Sequence, residues 1–187
     1  TNSNYKEGKK MKNIVLILTV IAASVLGILG QNKTISAAEI IDQISAGKAV
    51  VIENATIVGD LDLTYLPNPV NDAVYPENGK TAKVFSNKIS QEISFKNVKF
   101  ADKFNLFRKE SDAKEIREYR INFEKSVAFE NCIFEKEVNF ELTNFDGETS
   151  FGNSIFKQKP LLIRVGLEKI PNLEGTTFEQ GSVFQFT

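Results

Sequence analysis

The sequence predicts an all-β repeat fold in which short strands stack turn upon turn around an apolar interior, with a short helix closing the N-terminal end. Three observations predict it. Twelve positions, Phe123, Phe129, Phe134, Phe140, Phe145, Phe151, Phe156, Leu162, Leu167, Leu173, Phe178 and Phe184, step by six and five residues in strict alternation. Two residues before each stands a small, β-branched or prolyl residue: Ile121, Val127, Cys132, Val138, Thr143, Thr149, Ser154, Pro160, Val165, Pro171, Thr176 and Ser182. The charges, among them Glu130, Glu135, Lys136, Glu137, Glu141, Asp146 and Glu148, fall between these two series.

Phe and Leu fill about one position in seven of the chain, so an unbroken run of twelve is not chance. A helix repeats near 3.6 residues and a half-buried strand near 2. A longer fixed period belongs to units that bury their apolar side chains only by stacking on one another. Side chains two apart on an extended segment point to one side. The large and small series therefore share the interior, and the charges face water.

The elements follow in chain order. Residues 1–10 precede Met11 and resemble no targeting element, so they are expected to be an upstream extension, and Met11 the natural start. Lys12 and the apolar run from Ile14 to Leu29 predict a secretory signal over 11–30, and hence an exported, periplasmic or extracellular protein. Cleavage after Gly30 is the first expectation. A site after Ala38 also satisfies the small-residue rule, and retention as an anchor competes because the run reaches the lower limit for a membrane span. The earlier site is preferred because Ser36 and Glu39 have the spacing of a capping box ahead of Ile40, Ile41 and Ile44. Gly47 then ends a one-faced helix, so 31–48 reads as an N-terminal capping region.

From residue 49 onward the 5/6 rhythm resumes at Ile52, Ile57 and Leu63 and again at Phe95, Phe100 and Leu106. Two insertions interrupt it, at about 65–88 and 107–120. The first carries Pro67, Asn68, Pro69, Asn71, Asp72, Pro76, Asn78 and Gly79, which are turn and breaker residues. The second is nearly all charged and is expected to form a short helix. Its Arg108, Lys109, Glu110, Asp112, Lys114, Arg117 and Arg120 make up the candidate partner-binding loop, since insertions in repeat proteins gather on one, often binding, face. The competing reading is a solvated loop, because the charges alternate in sign as on a salt-bridged surface.

The segments FENCIF (129–134), FELTNF (140–145), FGNSIF (151–156) and FKNVKF (95–100) resemble the pentapeptide-repeat family. The resemblance implies a right-handed quadrilateral β-helix, with a central Leu or Phe on each face and a small residue two before it. Its four faces take 22 residues per coil here, which stacks Phe140 with Leu162 and Phe184, and Phe129 with Phe151 and Leu173. The chain departs from the family's usual strict step of five, and keeps the usual Asn before the central residue at Asn122, Asn139, Asn144 and Asn172.

Chemistry is sparse. The chain has no His, which excludes Ser-His and Cys-His nucleophile pairs and imidazole metal sites, and no enzyme is expected. Cys132 is the one cysteine, so no intramolecular disulfide forms, and its slot reads as a small core hydrophobe. Asp60 and Asp62 project outward, where a solvated face is favoured over calcium. Asn32-Lys-Thr34 and Asn54-Ala-Thr56 match a glycosylation pattern that is frequent by accident. No cofactor, metal or nucleic acid is expected, nor stable membrane insertion after signal cleavage. Residues 31–187 keep 19 basic and 23 acidic side chains, too small an imbalance to select an electrostatic partner.

These observations favour an exported, non-enzymatic structural or protein-binding module whose partner is a protein or envelope component. The alternative implied by the resemblance is a DNA mimic that binds type II topoisomerases, which the export signal and mixed charge disfavour. A carbohydrate-active β-helix would cluster acids with cations at one ladder phase, and none is visible. The apolar final coil predicts an end-to-end homodimer. The competing expectation is that further repeats follow residue 187.

Overall fold

Parallel pairing between strands far apart in sequence dominates the structure, a computed structural model that describes residues 33–186. The expected export signal, its cleavage after Gly30 and residues 1–10 lie outside the described residues. Strand β1 (Lys33–Ser36) runs straight into helix α1 (Ala37–Ser45). Ser36 is extended, and its side chain accepts from Glu39 N at 3.2 Å, satisfying one of the orphan donors of the first turn. At the other end Gly47 N donates to Ile44 O and Lys48 N to Gln43 O, with Gly47 at φ 69°. This is a Schellman closure, which needs a residue tolerant of the left-handed region. Ile40 and Ile44 enter the core and Ile41 packs against it.

The remaining elements are β2 (Val50–Val58), β3 (Leu61–Asp62), a 3-10 turn (Leu63–Tyr65), β4 (Val70–Glu77), β5 (Lys80–Ile89) and β6 (Ile93–Phe100). Then come β7 (Phe104–Asn105), β8 (Phe107–Ser111), β9 (Glu115–Phe123), β10 (Val127–Glu130), β11 (Ile133–Phe134) and β12 (Val138–Asn139). The last are β13 (Asn144–Phe145), β14 (Thr149–Ser150), β15 (Ile155–Phe156), β16 (Leu161–Leu167), β17 (Thr177–Phe178) and β18 (Val183–Phe186).

The register is the informative quantity. Phe134 pairs with Phe156 and Phe156 with Phe178, an offset of 22 residues. Phe95 pairs with Phe129 and Phe100 with Phe134, an offset of 34. Ile52 pairs with Phe95 and Ile57 with Phe100, an offset of 43. Each longer offset contains one antiparallel hairpin, β4–β5 or β8–β9.

Four apolar columns result. Rings stack along Phe95–Phe129–Phe151 at 5.5 and 5.2 Å, and along Phe100–Phe134–Phe156–Phe178 at 4.8, 4.5 and 5.1 Å. The other columns run through Leu106, Phe140 and Leu162 and through Ile89, Phe123, Phe145 and Leu167. Cys132, Thr143 and Ser154, in the small series, are fully buried. Coverage thins toward β18, where Leu173 and Phe184 are 36% and 38% exposed.

Two corners use left-handed backbone. Asn54, Asn97, Asn131 and Asn153 have φ of 53°, 53°, 52° and 54°, and Gly175 continues the column at 68°. Asn tolerates this region because its short side chain bonds locally, and Asn97 Nδ2 donates to Asn54 Oδ1 at 2.9 Å. At the second corner Leu142 and Arg164 stand at φ 52° and 54°, where an ordinary side chain is strained.

The helix expected within 108–120 is absent and the segment is the β8–β9 hairpin. Its Lys, Arg and Glu residues are good helix formers, but β9 finds a ready parallel partner in β5 and tertiary pairing overrides that preference. The first insertion is also a hairpin, turned at Asn78-Gly79 with φ of 51° and 77°, the signature of a type I′ turn.

Candidate functional site: a flap of two stacked hairpins

The two insertions leave the repeat at one corner. The pairings of Asp62 with Asn105, of Asn105 with Asn139 and of Asn139 with Leu161 place Tyr65, Arg108, Leu142 and Arg164 at equivalent positions. Where no insertion intervenes, that corner forces Leu142 and Arg164 into the left-handed region. Tyr65 and Arg108 escape the same tight turn because the chain departs there into a hairpin.

Outside the body the hairpins join. β5 and β9 pair in parallel over nine residues, from Thr81–Glu115 to Ile89–Phe123, so the flap is a four-stranded sheet in the order β4, β5, β9, β8. All seven candidate residues lie on the second hairpin. Arg108, Lys109 and Glu110 are on β8, Asp112 and Lys114 in the turn, and Arg117 and Arg120 on β9. Asp112 shapes the turn by accepting from Lys114 N and Glu115 N, both at 2.8 Å. Those two backbone bonds, with Arg117 nearby, hold its carboxyl below the usual range.

Ion pairs tie the strands together. On one side Lys83 meets Glu115 at 2.6 Å, Glu115 meets Arg117 at 2.8 Å and Arg117 meets Asp112 at 3.3 Å. Lys83 first and Arg117 second hold the Glu115 carboxyl below its usual range. On the other side Lys109 lies 3.1 Å from both Glu77 and Glu118, and Arg120 lies 2.5 Å from Glu118. Arg108, paired with Glu110, is also sandwiched between the rings of Tyr65 and Tyr119 at 4.3 and 3.8 Å, and Phe85 stacks on Tyr119 at 5.3 Å. A guanidinium between two rings is a cation–π contact, and here it pins the flap to the 3-10 turn of the body. Arg108 Nε adds a hydrogen bond to Thr64 Oγ1 at 3.1 Å.

Sequence reasoning missed the most exposed strand. Every residue of β4 up to Pro76 is exposed, and Val70, Val74 and Tyr75 carry 55%, 59% and 37% of their surface in solvent. Asn78-Gly79 between Val74-Tyr75 and Val84-Phe85 was the signal available. Glu77 and Glu118, the partners of Lys109, also lie outside the candidate set.

The other places singled out are internally satisfied. A groove of about 490 Å³ on the larger sheet contains Asp60, Asp62, Lys103 and Glu137. There Asp60 accepts from Lys103 N, and Lys103 pairs with Glu137 at 2.8 Å, which holds the ammonium above and the carboxyl below their usual ranges. Asp62 accepts from Thr64 N and Asn105 Nδ2, both at 2.9 Å, and caps the 3-10 turn. Among the described residues no group of three His, Cys, Asp or Glu side chains is placed to hold a metal. Cys132 is fully buried, and that burial pushes its thiol up to about 12, so it packs as a protonated, inert side chain. Compared with known proteins, the chain matches no family model, no curated protein and no solved structure.

Proposed function

We propose that the chain is a right-handed, four-sided β-helix of the pentapeptide-repeat kind, and that it works after export as a non-enzymatic protein-binding module. The 22-residue register and the four apolar columns support the first part. The flap supports the second. Two insertions 32 to 35 residues apart in sequence have been brought into one sheet, whose outermost strand offers Val70, Val74 and Tyr75 to solvent. Exposed apolar side chains rimmed by paired charges are what a partner of matching composition recognises. That single feature carries the reading, and the partner is a protein or envelope component.

The test places a photo-crosslinking amino acid at Val74, on the flap, or at Val51, which is 68% exposed on the other sheet. Exposure to envelope extract should yield discrete adducts from Val74 and none from Val51. Equal labelling at both positions, or none at either, rejects the flap as the binding element.

A further inference from the structure

Lys109 and Glu77 should be out of reach of one another. β8 and β4 are the two outer strands of the flap. Across the sheet Lys109 stands in one row with Glu118, Val84 and Ala73, and Glu77 lies four residues further along β4. Three strand spacings and four residue steps would separate their backbones by roughly 19 Å in a flat sheet. An extended lysine, an extended glutamate and the contact between them span only about 14 Å. Yet Lys109 Nζ lies 3.1 Å from Glu77 Oε1 and 3.1 Å from Glu118 Oε1. The sheet must therefore coil over its own face, carrying the tip of β4 toward β8.

What lies within the coil is apolar. Ala82, Val84 and Ile116 share the face of Glu118 and are 0%, 4% and 5% exposed, yet none belongs to the core of the repeat body. Glu118 itself is 4% exposed. Burying a carboxylate there is tolerable only because Lys109 and Arg120 both reach it.

We infer that Lys109 is a strap that holds the flap closed over a second, separate apolar core, and that neutralising the strap opens the flap while the repeat body stays folded. Resting on the reading of the flap as the binding element, the strap sets whether Ala82, Val84 and Ile116 are hidden or presented to a partner.

The charged groups facing Lys109 are Glu77 from β4 and Glu118 from β9, with Arg120 completing the cluster. From β5 the same face carries Ala82, Val84 and Ser86, and Ser86 Oγ donates to Asp72 of β4. At the sheet's tip Lys80 donates to Ser111 Oγ and Asp112 O. Burial works to raise the Glu118 carboxyl, but Arg120 and Lys109 outweigh it and hold it below its ordinary 4.5. The strap is thus fully present above 4.5 and is lost as pH falls through the lower folded value. Glu77 and then Glu118 hold the Lys109 ammonium above its ordinary 10.5, so the alkaline loss lies higher still.

Hydrogen exchange followed by mass spectrometry on the full chain tests the strap. In Lys109→Met the amides of 80–86 and 115–120 should exchange at least about tenfold faster, while those of 127–156 keep the wild-type rate. Glu118→Gln should do the same in part, and Lys109→Arg should restore protection. Unchanged flap exchange in Lys109→Met overturns the inference, as does equal acceleration throughout the body. The Val74 crosslink in the wild-type chain separates the two readings. Its failure alongside a selective exchange change rejects the binding role and leaves the strap. Its success alongside unchanged exchange rejects the strap alone.

Discussion

Phe145 is 2% exposed, and its ring stacks on that of Phe123 at 5.2 Å in the midst of the column they share. Phe145→Asp would place an unpaired carboxylate there, with a desolvation penalty of several kcal/mol. Glu141 lies on the outer surface, where its pair with Arg164 is exposed and contributes about 0–1 kcal/mol. Thermal melts should show the first variant unfolded and Glu141→Lys close to wild type; matching melts would remove Phe145 from the core. Leu142 makes the opposite case. At φ 52° a leucine holds a conformation that disfavours an L-residue by roughly 1–2 kcal/mol. Asn populates that region more readily, so Leu142→Asn should raise the urea midpoint by the equivalent of about 0.5–1 kcal/mol. A lowered midpoint would mean that the partly buried leucine side chain contributes more than its backbone strain removes.

At the scale of elements, α1 illustrates how a short helix survives at the end of a stack. Nine residues are too few for a stable isolated helix. Its ends are satisfied by Ser36 and by the Gly47 closure, and Ile40 and Ile44 fasten it to the core. Ser36→Ala should lower stability by about 1 kcal/mol, read as a shift in the denaturant midpoint at constant slope. The β4–β5 hairpin depends on its turn in the same way. A type I′ turn requires positive φ at both central residues, and Gly79 stands at 77°. Gly79→Val should therefore make 70–80 sensitive to limited proteolysis without changing the melt of the repeat body. A hairpin that resists cleavage in this variant would show that pairing with β9 holds β5 and β4 regardless of the turn.

The molecule as a whole is a uniform body with an appendage. Removing 66–86 and 109–120 would bring every offset to the 22 residues seen in the later repeats. Tyr65 and Arg108 would then make the corner that Leu142 and Arg164 now make. The doubly trimmed chain should retain a cooperative melt and a parallel-β spectrum; a loss of cooperativity would mean that the flap is required for folding. Acid sensitivity is the second property at this scale. Glu115, Glu118, Glu135 and Glu137 all have carboxyls held below their ordinary 4.5 in the folded chain. For Glu135 the leading cause is Lys99, and for Glu137 it is Lys103. Their contribution is complete above 4.5 and lost as pH falls through the folded values. Melting temperature should hold steady from neutral pH down to about 5 and decline below it, and added salt should shrink the decline.

The sequence by itself determined the apolar columns, the small slots beside them, the cap at Ser36 and the places where two insertions interrupt the rhythm. These are legible because a stack at constant offset demands one kind of residue at a constant step, and because a cap is written in adjacent residues. Tertiary structure alone decided the conformation of the insertions. The run from Arg108 to Arg120 has local preferences that suit a helix, and its actual partner, β5, lies 32 to 35 residues earlier. Only after the body sets both insertions at one corner can β9 lie along β5. Only then does the sheet coil, so that Lys109 reaches Glu77 and Glu118 over Ala82, Val84 and Ile116. A contact between strands at opposite edges of a sheet is set by curvature, a property of the assembled sheet and not of any segment within it.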